Sequence, residues 1–178
     1  MKVEKGMDLM LVETKYFGAL EIAEERVLTF PEGLFAFEEK KRYILLDHQD
    51  EENPFWWLQS LDDPNLVFVL LNPFLFKPDY EFDLSPEDVE ALALQKPEDA
   101  MVFCLVVIPQ DLQKITANLL APLLINAKLK KGKQIVLFHT NYSTRHLVMN
   151  ELQKNKQQGN KQQGEEGYSH VSSYAQKR

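Results

Sequence analysis

A chain of 178 residues, 44% hydrophobic and 26% charged, has the composition of an ordinary soluble domain with one substantial core. Its formal net charge of -7 argues against nucleic acid as a direct ligand, since phosphates are held by a basic footprint. A single cysteine, Cys104, excludes an intrachain disulfide and a thiolate metal cluster.

The first eight residues carry no apolar stretch of signal-peptide type, and the run Ala100 to Ile108 is too short to span a bilayer. A cytoplasmic protein with no membrane partner is expected. From there the sequence reads mostly as strands: Leu9 to Val12, Gly18 to Ile22, Val27 to Phe30, Arg42 to Leu46, Phe55 to Ser60, Leu66 to Leu71, Met101 to Ile108, Leu123 to Ala127 and Gln134 to Phe138. Turn signals separate them, among them Pro31-Glu32-Gly33, Asp62-Asp63-Pro64-Asn65 and a hairpin turn around Gly132 within Lys128 to Lys133. Thr116-Ala117-Asn118 and Asn126 are polar residues flanking apolar strands, which either close turns by local hydrogen bonds or offer contacts to an incoming peptide. Ser85-Pro86-Glu87-Asp88 puts a hydroxyl at an N-cap, proline at the first helical position and acids in the first turn, so a helix is predicted to about Leu92. A second short helix is predicted after Thr144, through Arg145 to Val148. The fold class is therefore mainly β, a small antiparallel barrel-like or sandwich domain with one or two short helices.

Residues 1–8 read as an N-terminal extension and 9–150 as the β domain. Residues 151–178 form a low-complexity tail with Lys-Gln-Gln-Gly at Lys156 to Gly159 and again at Lys161 to Gly164, a composition expected to be disordered.

Charge is uneven along the chain. Between Asp47 and Asp99 there are 14 acids against Lys77 and Lys96, whereas Leu112 to Asn150 has no acid and six cations, Lys114, Lys128, Lys130, Lys131, Lys133 and Arg145. Such a dipolar surface is suited to steering a charged partner. Within the acidic half, Leu66 to Asp83 is the most informative stretch. If extended, it places Phe74, Phe76, Tyr80 and Phe82 on one side and Lys77, Asp79, Glu81 and Asp83 on the other. Carboxylates two residues apart on a strand stand roughly 6.5 to 7 Å from each other, a comb suited to a polycationic partner. Pro73 and Pro78 cannot donate to a ladder, which makes the segment an edge or an irregular extension of its strand. Candidate partner-binding residues are Phe74, Phe76, Asp79, Tyr80, Glu81 and Asp83. The aromatics are equally what an ordinary core needs.

Catalytic chemistry finds no foothold. His48, His139, His146 and His170 form no metal-ligand spacing, Cys104 lies in an apolar run that makes a thiol inert, and no phosphate-binding glycine loop or nucleophile elbow occurs. Acids alternating along an exposed strand lack the enclosing apolar site that would split their pKa values. No cofactor, no metal and no enzymatic activity are expected.

Several motifs together resemble the flagellar assembly factor family, FliW. They are Thr14-Lys15-Tyr16-Phe17-Gly18, Phe30-Pro31-Glu32-Gly33-Leu34-Phe35-Ala36-Phe37-Glu38, Leu71-Asn72-Pro73-Phe74-Leu75-Phe76-Lys77-Pro78-Asp79-Tyr80-Glu81-Phe82, Thr116 to Asn126, and Lys131 to Leu137, in order along roughly Leu9 to Val148. The chain departs from the family pattern at Ala36, where glycine is usual. The resemblance implies a non-enzymatic, β-barrel-like interaction switch that binds the RNA-binding translational repressor CsrA and antagonises it allosterically, relieving repression of flagellin synthesis, and that binds flagellin in a partner switch. The other readings are a protein- or peptide-binding β domain without the CsrA role, and a hydrolase with an unrecognised site.

Overall fold

The computed structural model describes residues 8–47 and 53–159. In chain order the strands and helices are β1 (Leu9–Thr14), β2 (Gly18–Ala23), β3 (Leu28–Thr29), β4 (Arg42–Leu46), β5 (Phe55–Ser60), β6 (Val67–Leu71), α1 (Pro86–Ala91), β7 (Ala100–Val107), β8 (Thr116–Ala117), β9 (Leu123–Asn126), β10 (Lys131–Gln134), β11 (His146–Leu147) and α2 (Val148–Gly159). β3 to β7 pair antiparallel with their neighbours in sequence, β7 pairs β9 along its other edge, and β9 pairs β10. β10 then meets β3 in parallel through Lys131 and Thr29, so seven strands close into a ring. The molecule is a barrel, with one parallel junction in an otherwise antiparallel sheet. β8 and β11 extend from the far end of β7 through Val106 and Val107.

Alternation along the strands sorts side chains to the two faces of the ring. One parity, including Leu28, Tyr43, Leu58, Leu70, Phe103, Leu123 and Ile125, meets in a single cluster drawn from strands all round the ring, which fills the interior. The other parity faces outward and is buried by what lies over it. The hairpin of β1 and β2 covers Ile44 and Leu46 with Val12 and Ile22. The chain from Phe76 to Leu94, together with α2, covers Leu71, Val102, Cys104, Val106 and Leu124.

Several expectations shift. The predicted hairpin turn at Lys128 to Lys133 and strand at Gln134 to Phe138 are displaced: β10 begins at Lys131, and Gly132 is a strand residue opposite Ile125. Glycine is required there for space, since a Cβ would lie 2.3 Å from the Phe30 ring. Thr116 and Ala117 form β8, while Asn118 and Asn126 do close turns, accepting from the Ala121 N–H (2.9 Å) and the Lys128 N–H (3.1 Å). His146 and Leu147 are strand, so the second helix starts at Val148 and runs to Gly159, across the boundary placed after residue 150. α1 follows its signals: Ser85 Oγ accepts from the Asp88 N–H (3.1 Å) and Leu92 is the C-cap. Ala36 has φ +69, a left-handed backbone that glycine adopts more readily than alanine.

Candidate partner-binding surface

The chain leaves β6 at Asn72, whose Oδ1 accepts from the Phe74 N–H (2.9 Å) and caps a 3-10 turn at Pro73–Leu75. Pro73 sits at the first position, where its missing N–H costs nothing. The Lys77 N–H bonds the Pro73 carbonyl and the Tyr80 N–H bonds the Lys77 carbonyl, so Pro73 to Tyr80 is turned: of the two readings the prolines left open, the irregular one holds, and the extended alternation does not begin at Phe74. The proline-capped turn wins over the β-propensity of Phe74, Leu75 and Phe76. Regular alternation begins only at Tyr80, where Tyr80 and Phe82 are buried and Glu81 and Asp83 exposed.

The two sides nevertheless separate. Phe76, Tyr80 and Phe82 are core residues, with Phe74 half-buried against them. Tyr80 is the hub: its ring lies 6.0 Å from Phe74, 5.2 Å from Phe82 and 4.7 Å from Tyr142, and its hydroxyl donates to the Leu119 carbonyl (2.7 Å). Burial pushes the Tyr80 phenol up, with smaller contributions from Cys104 and Tyr142. The Tyr142 hydroxyl is bound at Glu81, accepting from its N–H (3.1 Å) and donating to its carbonyl (3.0 Å), which fixes the backbone beneath the Glu81 side chain. α2 adds a tie from Asn155 Nδ2 to the Phe76 carbonyl (2.8 Å).

The three acids are not equivalent. Asp79 is held by Lys77 Nζ at 2.9 Å, and that hydrogen bond, ahead of the lysine charge, lowers its carboxyl pKa. Its charge is therefore largely answered within the segment. Glu81 and Asp83 are exposed and alternate with the buried rings of Tyr80 and Phe82. The basic run on the other half of the sequence is also partly answered. Lys128 reaches Asp99 at 2.8 Å, and Lys133 bridges Glu32 and Asp88, each at 3.0 Å, so the expected separation of charge is reduced where the halves meet.

Sequence reasoning missed what faces the acids. Glu81, Asp83, Ser85 and Asp88 form one wall of a groove of about 600 Å³, and Ile135 to Thr140 form the other. Val136 and Phe138 are exposed on that second wall, and His139 ends it with φ +59. The signal was present as two apolar residues on the outward parity of a segment read simply as a strand. Of the histidines, His146 meets Glu151 Oε1 at 3.2 Å and stacks near Phe76, whereas His48 and His170 lie outside the described residues. Cys104 is fully buried, and burial raises its thiol pKa. Among the described residues no three His, Cys, Asp or Glu side chains gather as metal ligands, and no helix is long and apolar enough to cross a membrane.

A family model described as FliW protein matches residues 11–148. The chain belongs to the FliW family. It is 45% identical over 145 residues to the flagellar assembly factor FliW of Alkaliphilus metalliredigens (strain QYMF), covering 82% of this chain and 90% of that protein. To the flagellar assembly factor FliW of Treponema denticola (strain ATCC 35405 / DSM 14222 / CIP 103919 / JCM 8153 / KCTC 15104) it is 45% identical over 143 residues, 80% and 96% of the two chains. A crystal structure of the flagellar assembly factor FliW superposes with a TM-score of 0.74 at 37% identity, covering 78% of this chain and 96% of the other. FliW proteins are flagellar assembly factors and not enzymes. The matched span ends at Val148, so the FliW region holds the whole ring, the acidic segment and both groove walls, while nearly all of α2 lies beyond it.

Proposed function

We propose that this FliW chain works in the cytoplasm as a partner switch. It binds the RNA-binding translational repressor CsrA and antagonises it allosterically, relieving repression of flagellin synthesis, and it binds flagellin, which then sequesters the antagonist. The observation that carries the reading is the pair of exposed carboxylates, Glu81 and Asp83, on a backbone fixed from behind by Tyr80, Phe82 and Tyr142. A protein that binds RNA is rich in cations, and preorganised acids attract such a protein at range and, held beside its RNA site without occupying it, disfavour phosphates there. Phe74, Phe76 and Tyr80 serve the site by positioning, and Asp79 contributes less charge than its place in the sequence suggests. The charge-reversed Glu81→Lys/Asp83→Lys protein is expected to bind CsrA at least about tenfold more weakly, with a flatter dependence of affinity on salt. Unchanged affinity together with unchanged salt dependence in a titration of the purified proteins rejects this reading. In the same assay, added flagellin is expected to release CsrA from the unmodified chain.

A further inference from the structure

The hairpin laid over β4 and β5 has an outward face and an edge that the partner-switch reading does not use. Among the described residues β1 and β2 pair only with each other, with Leu9 opposite Ala23, Leu11 opposite Glu21 and Glu13 opposite Ala19. Met10, Val12, Leu20 and Ile22 pack inward with Ile44, Leu46 and Trp57, so period two turns Leu9, Leu11 and Glu13 outward. Leu9 and Leu11 are 56% and 67% exposed, and Glu13 and Glu21 on the same face are exposed carboxylates. The Glu24 N–H donates to the Asp8 carbonyl (3.0 Å), which makes Asp8 and Glu24 a hydrogen-bonded pair of the ladder. Alternation from that pair points the main-chain groups of Met10 and Val12 toward β2, and those of Leu9, Leu11 and Glu13 toward the opposite edge. Among the described residues no strand pairs with that edge. β1 is regular over Leu9–Thr14 and has no proline, lysine or bulge, the usual devices that keep an edge strand from pairing. An open ladder, two exposed leucines and two carboxylates on one face are together complementary to one kind of occupant.

We infer that the free edge of β1 takes an added antiparallel strand from a protein partner, a segment in which a basic residue is followed two and four positions later by apolar ones. The residues that bond the main chain of Leu9, Leu11 and Glu13 stand directly opposite them, so their side chains share the outward face. Running antiparallel, the segment sets its cation beside Glu13 and its two apolar side chains beside Leu11 and Leu9. Charge selects this occupant over a second copy of the chain. A second β1 paired antiparallel about Leu11 puts Leu9 beside Glu13, brings no cation to it, and carries its own net charge of -7. The hairpin packs over β4 and β5, whereas Glu81 and Asp83 belong to the layer over β6 and β7. The inference therefore goes beyond the CsrA reading and does not depend on it.

The test uses the full chain, labelled with 15N, and the end-blocked heptapeptide Thr-Lys-Thr-Val-Thr-Val-Thr. Saturable shifts of the Leu9, Leu11 and Glu13 amide signals are expected, with those of Glu81 and Asp83 unmoved. N-methylation of the lysine and both valines should weaken binding at least about tenfold, and N-methylation of the two threonines between them should leave it within about twofold, because only the first set of N–H groups faces β1. Glu13→Lys, at an exposed position, should weaken the parent peptide about fivefold and favour instead the peptide with glutamate in place of lysine. No binding, equal loss on both methylations, unmoved β1 signals, or an unchanged preference for lysine in Glu13→Lys overturns the added strand. Movement of the same three signals on concentrating the chain without peptide assigns the edge to a second copy and overturns the inference as well.

Discussion

Tyr80 and Tyr43 are both fully buried, yet they serve the barrel in opposite ways. Tyr43 lies in the ring interior, 5.3 Å from Phe30, with its hydroxyl lacking a hydrogen-bond partner among the described residues, and burial pushes that phenol up to about 12. Tyr80 lies on the outer face of the ring and anchors the acidic segment to Leu119 through a short hydrogen bond. The interior tyrosine acts as ring volume, whereas the outer one joins packing to a specific address. The difference bears on the proposed function: the interior builds a scaffold, and the layer laid over it carries the proposed partner surface.

The strongest way to break this contrast is Tyr80→Ala, which removes the hub of four rings. It should cost about 3–5 kcal/mol in urea unfolding and loosen the segment under Glu81 and Asp83. Loss of CsrA binding is expected with it. The interior should be nearly as sensitive to added volume. Gly132→Ala drives a methyl into Phe30 and is expected to cost about 1–3 kcal/mol, measured the same way. Hydroxyl deletion sharpens the comparison further. Tyr80→Phe leaves the Leu119 carbonyl without its donor and should cost about 1–2 kcal/mol, while Tyr43→Phe removes an orphan and should stabilise by about 1 kcal/mol. If both substitutions shift the midpoint the same way, the two tyrosines are not distinct in role.

The smallest expected effect concerns the helix that straps the outer layer. Glu151 has a lowered pKa, first through the Lys154 hydrogen bond and then through the charges of Lys77, Lys154 and His146. A carboxyl lowered on folding stabilises fully above its unfolded value, and that contribution disappears as pH falls through the lowered folded value. The protection factors of amides in α2 should therefore fall at pH below the ordinary glutamate range, and Glu151→Gln should flatten that dependence.

Much of this architecture was legible because local signals and tertiary context agreed. Arg42 to Leu46 and Phe55 to Ser60 are strands with the boundaries read from the sequence, since turn residues bracket apolar runs of strand length. Ser85 and Pro86 marked α1 for the same reason. The failures have physical causes. Gly132 looked like a turn because glycine punctuates turns, but only the ring of Phe30, about a hundred residues earlier, explains it. β8 and β11 are two residues each and exist by pairing with β7 and with each other, a contact no local pattern announces. In the candidate site, the sides taken by Tyr80, Glu81, Phe82 and Asp83 followed from period two. The ion pair of Asp79 with Lys77 was not read, although period two already sets both on one side; it forms within the turned stretch from Pro73 to Tyr80, where the two groups close to 2.9 Å. The groove was invisible for a related reason, since its walls are some fifty residues apart in the chain.

The parallel contact between Lys131 and Thr29 has a consequence for synthesis. Closure joins residues about a hundred positions apart, so a growing chain carries β3 and its neighbours as an open, twisting sheet until β10 has left the ribosome. Until then the edge of β3 awaiting β10 is exposed to other nascent chains, and prompt arrival of Leu123 to Gln134 becomes the step that separates folding from aggregation.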